Sequence, residues 1–103
     1  MKRKPYKQFH CGKKFPKTPC KSKPFKWIPF SYIDTYHIAT GRFRSRRKYG
    51  YNGTAYIDLD IAHDGYPRDH VHDIINGVRL GHRFPNKYER RELEKAKKKR
   101  RFL

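Results

Sequence analysis

The sequence predicts an α+β fold: a small antiparallel sheet built from two β-hairpins, with a basic N-terminal arm and a basic C-terminal helix. Two Asn-Gly pairs, at 52–53 and 76–77, each lie between segments rich in strand-forming residues and predict the hairpins. The charged run after Pro85 begins with Asn86, a good helix N-cap, and predicts a helix from about residue 86. A chain of 103 residues has room for one domain.

The first 25 residues are rich in lysine and contain four prolines without a consistent period. They predict an extended basic arm over 1–25, followed by a single domain over 26–103. Residues 26–38 are the densest apolar segment and are expected to supply core; their spacing suits one helix face, but Pro29 and the β-branched and aromatic content favour a short or irregular element, whose type stays open. Cys11 and Cys20 offer too few ligands for a structural zinc site, and their state as thiols or a disulfide stays open.

The first hairpin is predicted from strict alternation in residues 55–61, which places Ala55, Ile57, Leu59 and Ile61 on one face. Residues 43–51 supply its basic partner strand. A two-residue turn sets Arg44, Arg46 and Lys48 beside the apolar face, whereas a three-residue loop with a bulge at Gly53 sets Phe43, Ser45, Arg47 and Tyr49 there. Burial of apolar surface favours the bulged register.

The second hairpin has a two-residue turn at 76–77, which pairs Ile75 with Val78, Ile74 with Arg79 and His70 with Arg83. One surface then carries His70, His72, Ile74, Arg79 and Arg83. The other surface, with Val71, Ile75, Val78 and Leu80, is the predicted core face.

Charge predicts the partner. Lys and Arg number 27 against 9 Asp and Glu, so the formal charge is +18, which favours a polyanion: RNA first and DNA second. The absence of a long apolar run predicts no membrane insertion, and the absence of a secretory signal predicts a cytoplasmic protein. The candidate nucleic-acid-binding residues are Arg44, Arg46, Arg47, Lys48, Arg83, Lys97, Lys98, Lys99, Arg100 and Arg101.

Residues 63–73 concentrate titratable groups, with three histidines and three aspartates in eleven positions. RNA cleavage without a metal needs a base for the 2'-hydroxyl, an acid for the leaving oxygen and cations for the phosphate. His70 and His72, or one of them with His63 or His82, supply acid and base. Arg68, Arg79 and Arg83 are the candidates for phosphate stabilisation, with Asp69 or Asp73 fixing a histidine tautomer.

Two alternatives use the same residues differently. A His-x-His strand can simply present two solvated side chains. Alternatively, His70 and His72 with Asp58, Asp60 or Asp73 can bind Zn²⁺ or Mg²⁺ for a metal-dependent nuclease. The metal-free mechanism is the favoured one and requires no cofactor.

The strand with Asp58-x-Asp60, followed by the segment with Arg68 and His70-x-His72, resembles the C-terminal toxin domains of bacterial polymorphic toxins over about residues 42–84. The resemblance implies a small basic nuclease with His70 and His72 in its active site and Asp58 and Asp60 as supporting carboxylates. It also implies an acidic immunity protein and delivery into the cytoplasm of a target cell. The first 40 residues depart from the pattern of those domains.

The expected function is therefore a metal-independent endoribonuclease of toxin type. The competing hypothesis is a non-enzymatic RNA-binding protein of ribosomal or RNA-packaging type, in which basic arms lie between phosphates and the histidines are incidental. The concentration of histidines and carboxylates in residues 63–73 favours the nuclease.

Overall fold

The computed structural model describes residues 8–12, 15–19, 23–37, 40–63 and 65–99, the first two of these ranges as backbone only. Within these residues the elements are β1 (Gln8–Gly12), β2 (Phe15–Pro19), β3 (Tyr32–His37), β4 (Phe43–Tyr49), β5 (Ala55–Asp60), β6 (His70–Ile75), β7 (Val78–Arg79) and α1 (Lys87–Lys97). The strands form one sheet in the order β2-β1-β3-β4-β5-β6-β7, and all neighbours are antiparallel. The predicted class, α+β with a small antiparallel sheet and a C-terminal helix, is confirmed.

The sequence does not predict strands β1 and β2, which lie within the segment interpreted as an extended arm. β1 pairs with β3 from Gln8 opposite His37 to Gly12 opposite Ile33 and with β2 on its other side, so this segment adds two strands to the sheet and β2 is the edge strand. Its sequence lacks the alternation by which a strand is recognised, because lysine and proline interrupt the apolar positions.

The first hairpin adopts the register that burial did not favour. Arg46 lies opposite Leu59 and Lys48 opposite Ile57, so both cations share the apolar face. The carboxylate of Glu92 on α1 accepts a hydrogen bond from each, at 2.9 and 3.0 Å, and Asp34 of β3 accepts two more from Arg46; these bonds offset part of the cost of placing the cations there. A register shift between Lys48 and Tyr49 then brings Tyr49 opposite Ala55.

The second hairpin has the predicted turn, with Ile75 opposite Val78 and Ile74 opposite Arg79. Asn76 and Gly77 both have positive φ, 51° and 79°, as a two-residue hairpin turn of this kind requires. The predicted pairing of His70 with Arg83 is wrong, because Arg83 lies opposite Val71.

Arg83 lies opposite Val71 because the pairing of the second hairpin shifts by one residue after Leu80. The N–H of Leu80 itself donates to the carbonyl of Asp73, as the predicted pairing requires. The shift turns Arg83 to the helix side of the sheet, where Asp73 and Glu89 accept its hydrogen bonds at 2.6 to 3.0 Å.

Helix α1 covers one face of the central strands. It begins at the predicted cap Asn86, whose side chain accepts a hydrogen bond from the N–H of Glu89, while the side chain of Glu89 accepts one from the N–H of Asn86. The core between helix and sheet consists of Tyr36, Phe43, Ile57, Leu59, Val71, Leu93 and Ala96. Of the predicted core face of the second hairpin only Val71 is buried, because α1 packs on β4 and β5 and leaves Ile75, Val78 and Leu80 exposed.

Candidate functional site

The face of the sheet opposite α1 carries a row of ionisable residues. Across β4, β5 and β6, Arg47, Asp58 and His72 are direct neighbours, and next to them lie Ser45, Asp60 and His70. Opposed residues of an antiparallel sheet project to the same side, so the pleat brings all six side chains together. This arrangement joins the Asp-x-Asp strand to the His-x-His strand, as the sequence-predicted site requires.

Asp58 is the fully buried carboxylate of this row. Arg47 binds both of its oxygens, at 2.7 and 2.8 Å, and Arg79 donates to one of them at 2.9 Å. Burial alone would raise the pKa of Asp58, but these hydrogen bonds and the nearby Lys23 hold it below its ordinary value. Asp58 is therefore an ionised anchor for two arginines.

Asp60 is the carboxylate closest to the histidines. Its Oδ2 lies 3.5 Å from Nε2 of His70 and 3.7 Å from Nε2 of His72, and it accepts a hydrogen bond from Arg79 at 3.1 Å. Its Oδ1 is buried without a hydrogen-bond partner among the described residues. A buried, unsatisfied carboxylate oxygen is costly, and a water molecule or an ion at this position would satisfy it.

Backbone carbonyls fix the orientation of both predicted histidines. Nδ1 of His70 lies 2.8 Å from the carbonyl oxygen of Arg68, and Nδ1 of His72 lies 2.8 Å from that of Leu80. Because a carbonyl only accepts, each Nδ1 carries a proton, and Nε2 is the ring nitrogen that faces Asp60. Both rings are buried, His70 completely, so they are not two solvated side chains on a strand.

Two further histidines complete the cluster. Nε2 of His63 lies 3.3 Å from Nε2 of His70, and the exposed ring of His82 lies 4.6 Å from that of His72, between centroids. Tyr66 stacks on His82 at 4.0 Å. Desolvation lowers the pKa of His82, and electrostatic interactions with His72, His70 and Arg79 lower it further.

The sequence did not indicate that Lys23 belongs to this site. Its Nζ donates to Oγ of Ser45 at 2.8 Å, and burial lowers its pKa despite the attraction of Asp58 and Asp60. The segment 23–27 is fixed across the sheet by backbone hydrogen bonds from Trp27 to Gly53 and from Ala55 to Phe25. Because such contacts are long-range, a basic residue in a lysine-rich segment gives no local signal for them.

These side chains border a cavity of about 370 Å³ that is open to solvent. Its lining consists of Lys23, Arg44, Ser45, Asp60, His63, His72, Arg79 and His82. Imidazoles, a carboxylate and three cations therefore face one space large enough for a phosphate with its neighbouring sugar.

The remaining predicted residues lie elsewhere. Arg46, Lys48, Arg83 and Lys97 are on the helix side, where each is paired with a carboxylate. Arg68 is exposed, with its guanidinium 5.7 Å from the ring of Phe84, so it contributes its carbonyl to His70 rather than its charge. Lys98 and Lys99 are exposed at the end of α1, and Arg100 and Arg101 lie outside the described residues.

Comparison with known protein families, characterised proteins and solved structures finds no significant match to this chain. In the part of the chain that the structure describes, no helix is long and apolar enough to cross a bilayer.

Proposed function

We propose that this protein is a nuclease that cleaves RNA at the cavity of the histidine cluster. The observation that carries the proposal is a cluster of four histidines, His63, His70, His72 and His82, in which His70 and His72 lie against the carboxylate of Asp60, beside cationic side chains. Imidazole transfers protons near neutral pH, and cations stabilise the charge that develops on a phosphodiester. A protein that only packs RNA has no need of this arrangement.

The burial of the two predicted histidines divides their roles. His72 lines the cavity together with His82, whereas His70 lies behind the lining and is fully buried. In a metal-free reaction His72 and His82 therefore exchange protons with the 2'-hydroxyl and the leaving 5'-oxygen, and His70 acts as a positioning residue. Arg79 and Arg44 bind the phosphate.

Binding of the RNA rests on the net charge of +18. A second cavity, of about 630 Å³, adds an aromatic surface that includes Phe30, Tyr51 and Tyr56, each exposed. Aromatic faces stack on unpaired bases irrespective of sequence, so this cavity suits single-stranded RNA.

The toxin hypothesis implies a protein inhibitor in the producing cell. An acidic immunity protein would be attracted by the same positive field that attracts RNA. This hypothesis is tested by adding such an acidic protein to the cleavage assay: an inhibitor that covers the cavity should abolish RNA cleavage at equimolar concentration.

The nuclease itself is tested by turnover on a fluorescently labelled single-stranded RNA, with the protein at one hundredth of the RNA concentration. The parent protein should cleave many equivalents of RNA. His72→Gln should lower the rate about 10²-fold while leaving RNA affinity nearly unchanged. His37→Gln, outside the cavity lining, is the matched control. Protection of RNA in stoichiometric amounts, without cleavage, would instead identify a packing protein.

A further inference from the structure

We infer that His70, His72 and His82 form a binding site for a transition-metal ion such as Zn²⁺, next to the carboxylate of Asp60. The site itself is independent of the proposed nuclease function; only the use of the ion in catalysis rests on it. Four observations carry this inference: the convergence of the ligand atoms, their orientation, the unsatisfied oxygen of Asp60 and the type of donor.

The ligand atoms converge. One ring nitrogen from each of the three histidines lies within 4.8 Å of the others. Zn–N bonds of 2.0–2.1 Å in a tetrahedron place two ligands about 3.3 Å apart. Oδ2 of Asp60 lies 3.5 and 3.7 Å from Nε2 of His70 and of His72, so an ion held by the rings would lie beside a carboxylate. His82 is exposed in the segment after β7, so it is the ligand that can adjust to an ion.

Nδ1 of each buried histidine, His70 and His72, makes the type of hydrogen bond that is found in known metal sites. A histidine that binds a metal usually donates its other N–H to a carbonyl or carboxylate, which fixes the ring and the tautomer. The carbonyls of Arg68 and Leu80 accept these bonds from His70 and His72, at 2.8 Å each. Nε2 is thereby the nitrogen of both rings that faces Asp60 and can bind an ion; that of His70 also lies 3.3 Å from Nε2 of His63, a hydrogen bond that an ion would replace.

Asp60 supplies negative charge and spare binding capacity at this point. Its Oδ2 is engaged by Arg79, but its buried Oδ1 has no partner among the described residues. A cation between the rings would satisfy this carboxylate. Three histidines with a further position open to a cavity are the ligand set of several catalytic zinc sites.

The donor set also selects the class of ion. Lys23 and Arg79 border the same cavity, so the local field repels cations that are held by charge alone. Mg²⁺ and Ca²⁺ prefer oxygen ligands and are disfavoured here. Imidazole nitrogens bind Zn²⁺, Ni²⁺ and Cu²⁺ through strong donor bonds, which offset that repulsion.

A bound ion would polarise a phosphoryl oxygen and lower the pKa of a water in the cavity. The Nε2 atoms would then serve as ligands and no longer as acid and base. The metal-free mechanism predicted from the sequence and the metal-dependent one are therefore alternatives that removal of the ion separates.

The test is the direct binding of Zn²⁺ to the full-length, EDTA-treated and dialysed protein, measured by calorimetry. We expect one ion per chain. His72→Gln and His82→Gln should each weaken binding at least ~10-fold, whereas His37→Gln should not. Co²⁺ in place of Zn²⁺ should give visible absorption bands that disappear in His82→Gln, which is expected to fold because the side chain is exposed. A tenfold excess of Mg²⁺ should not compete.

Absence of saturable Zn²⁺ binding, or equal affinity in the parent and in both glutamine variants, would overturn the inference. RNA cleavage in the parallel assay separates the two proposals. Binding of Zn²⁺ without cleavage keeps the metal site and removes the nuclease; cleavage by protein that neither binds Zn²⁺ nor responds to EDTA keeps the nuclease and removes the metal site.

Discussion

Nη2 of Arg79 donates a hydrogen bond to Oδ2 of Asp60 at 3.1 Å. Through Nε the same guanidinium holds Asp58, so it connects both carboxylates of the Asp-x-Asp strand. The side chain of Arg79 is nevertheless 46% exposed and lines the cavity. It can therefore contact a phosphate while it remains bound to the aspartates.

Arg79→Gln should lower RNA cleavage about 10²-fold or more, because one of the cations that stabilise the phosphate is lost. Its affinity for Zn²⁺ should rise, since a positive charge next to Asp60 is removed. These opposite effects, measured by turnover and by calorimetry on one preparation, distinguish a site residue from a structural one. Arg91→Gln, on the exposed side of α1, removes the same charge and should change neither value.

RNA affinity should fall steeply with salt. Each phosphate contacted on a single strand contributes about 0.7 to the slope of log K against log salt. Replacing both exposed lysines at the end of α1, in Lys98→Gln/Lys99→Gln, should therefore reduce the slope by about 1.4. Measurement by fluorescence anisotropy between low and moderate salt provides the test. An unchanged slope would mean that the end of the helix does not contact RNA.

The ion pairs on the helix side should make stability depend on pH. Burial alone would raise the pKa of Glu92, but hydrogen bonds from Arg46 and Lys48 hold it below the ordinary 4.5. A carboxylate whose pKa is lowered in the folded state stabilises the protein fully at pH values above its ordinary pKa. This stabilisation is lost as the pH falls through the pKa of the folded state.

Glu92→Gln should thus lower the free energy of unfolding at pH 7 by about 1–2 kcal/mol, with a smaller difference below pH 4. Urea denaturation at several pH values measures it. Glu94→Gln is the control on the same helix: its side chain is 68% exposed and pairs with Lys97 only three residues on. Equal losses in the two variants at pH 7 would show that the Arg46–Glu92 pair contributes little.

Local patterns predicted the parts of the fold that local physics determines. The turn at Asn76 and Gly77 and the cap at Asn86 follow from backbone conformation and from side-chain hydrogen bonds within a few residues. The register of the first hairpin was predicted wrongly, because the helix side offers carboxylates from other elements: Asp34 of β3 pairs with Arg46, and Glu92 of α1, more than forty residues away, pairs with both Arg46 and Lys48. No local pattern contains that information.

For the candidate site too, the sequence predicted what depends on local alternation and missed what depends on contacts with distant parts of the chain. Alternation placed His70, His72 and Arg79 on one face, and the Asp-x-Asp strand supplied Asp58 and Asp60 beside them. The burial of His70 was not predictable, because loop residues such as Tyr66 cover it. Lys23 was missed because it reaches the site through contacts with another part of the chain.

Gly53 holds the segment that brings Lys23 into the cavity. Its φ is +77°, and a Cβ at this position would overlap the carbonyl oxygen of Trp27, whose N–H donates to the carbonyl of Gly53 at 2.8 Å. At Gly65, with φ of +88°, the corresponding Cβ position has no atom of the described residues within 4 Å, apart from its chain neighbours. Alanine would therefore strain the backbone at both positions, but only at Gly53 would its Cβ also collide with another residue, Trp27.

Gly65→Ala should lower the free energy of unfolding by roughly 1–2 kcal/mol, the cost of left-handed backbone for a residue with a Cβ. Gly53→Ala should cost more, because the segment 23–27 must also move. Trp27 is the only tryptophan of the chain and is partly buried, so its fluorescence reports this movement directly. We expect a red shift in Gly53→Ala together with slower RNA cleavage, since Lys23 leaves the cavity, and neither change in Gly65→Ala. Identical fluorescence and stability in the two variants would show that the contact between Gly53 and Trp27 does not hold the segment in place.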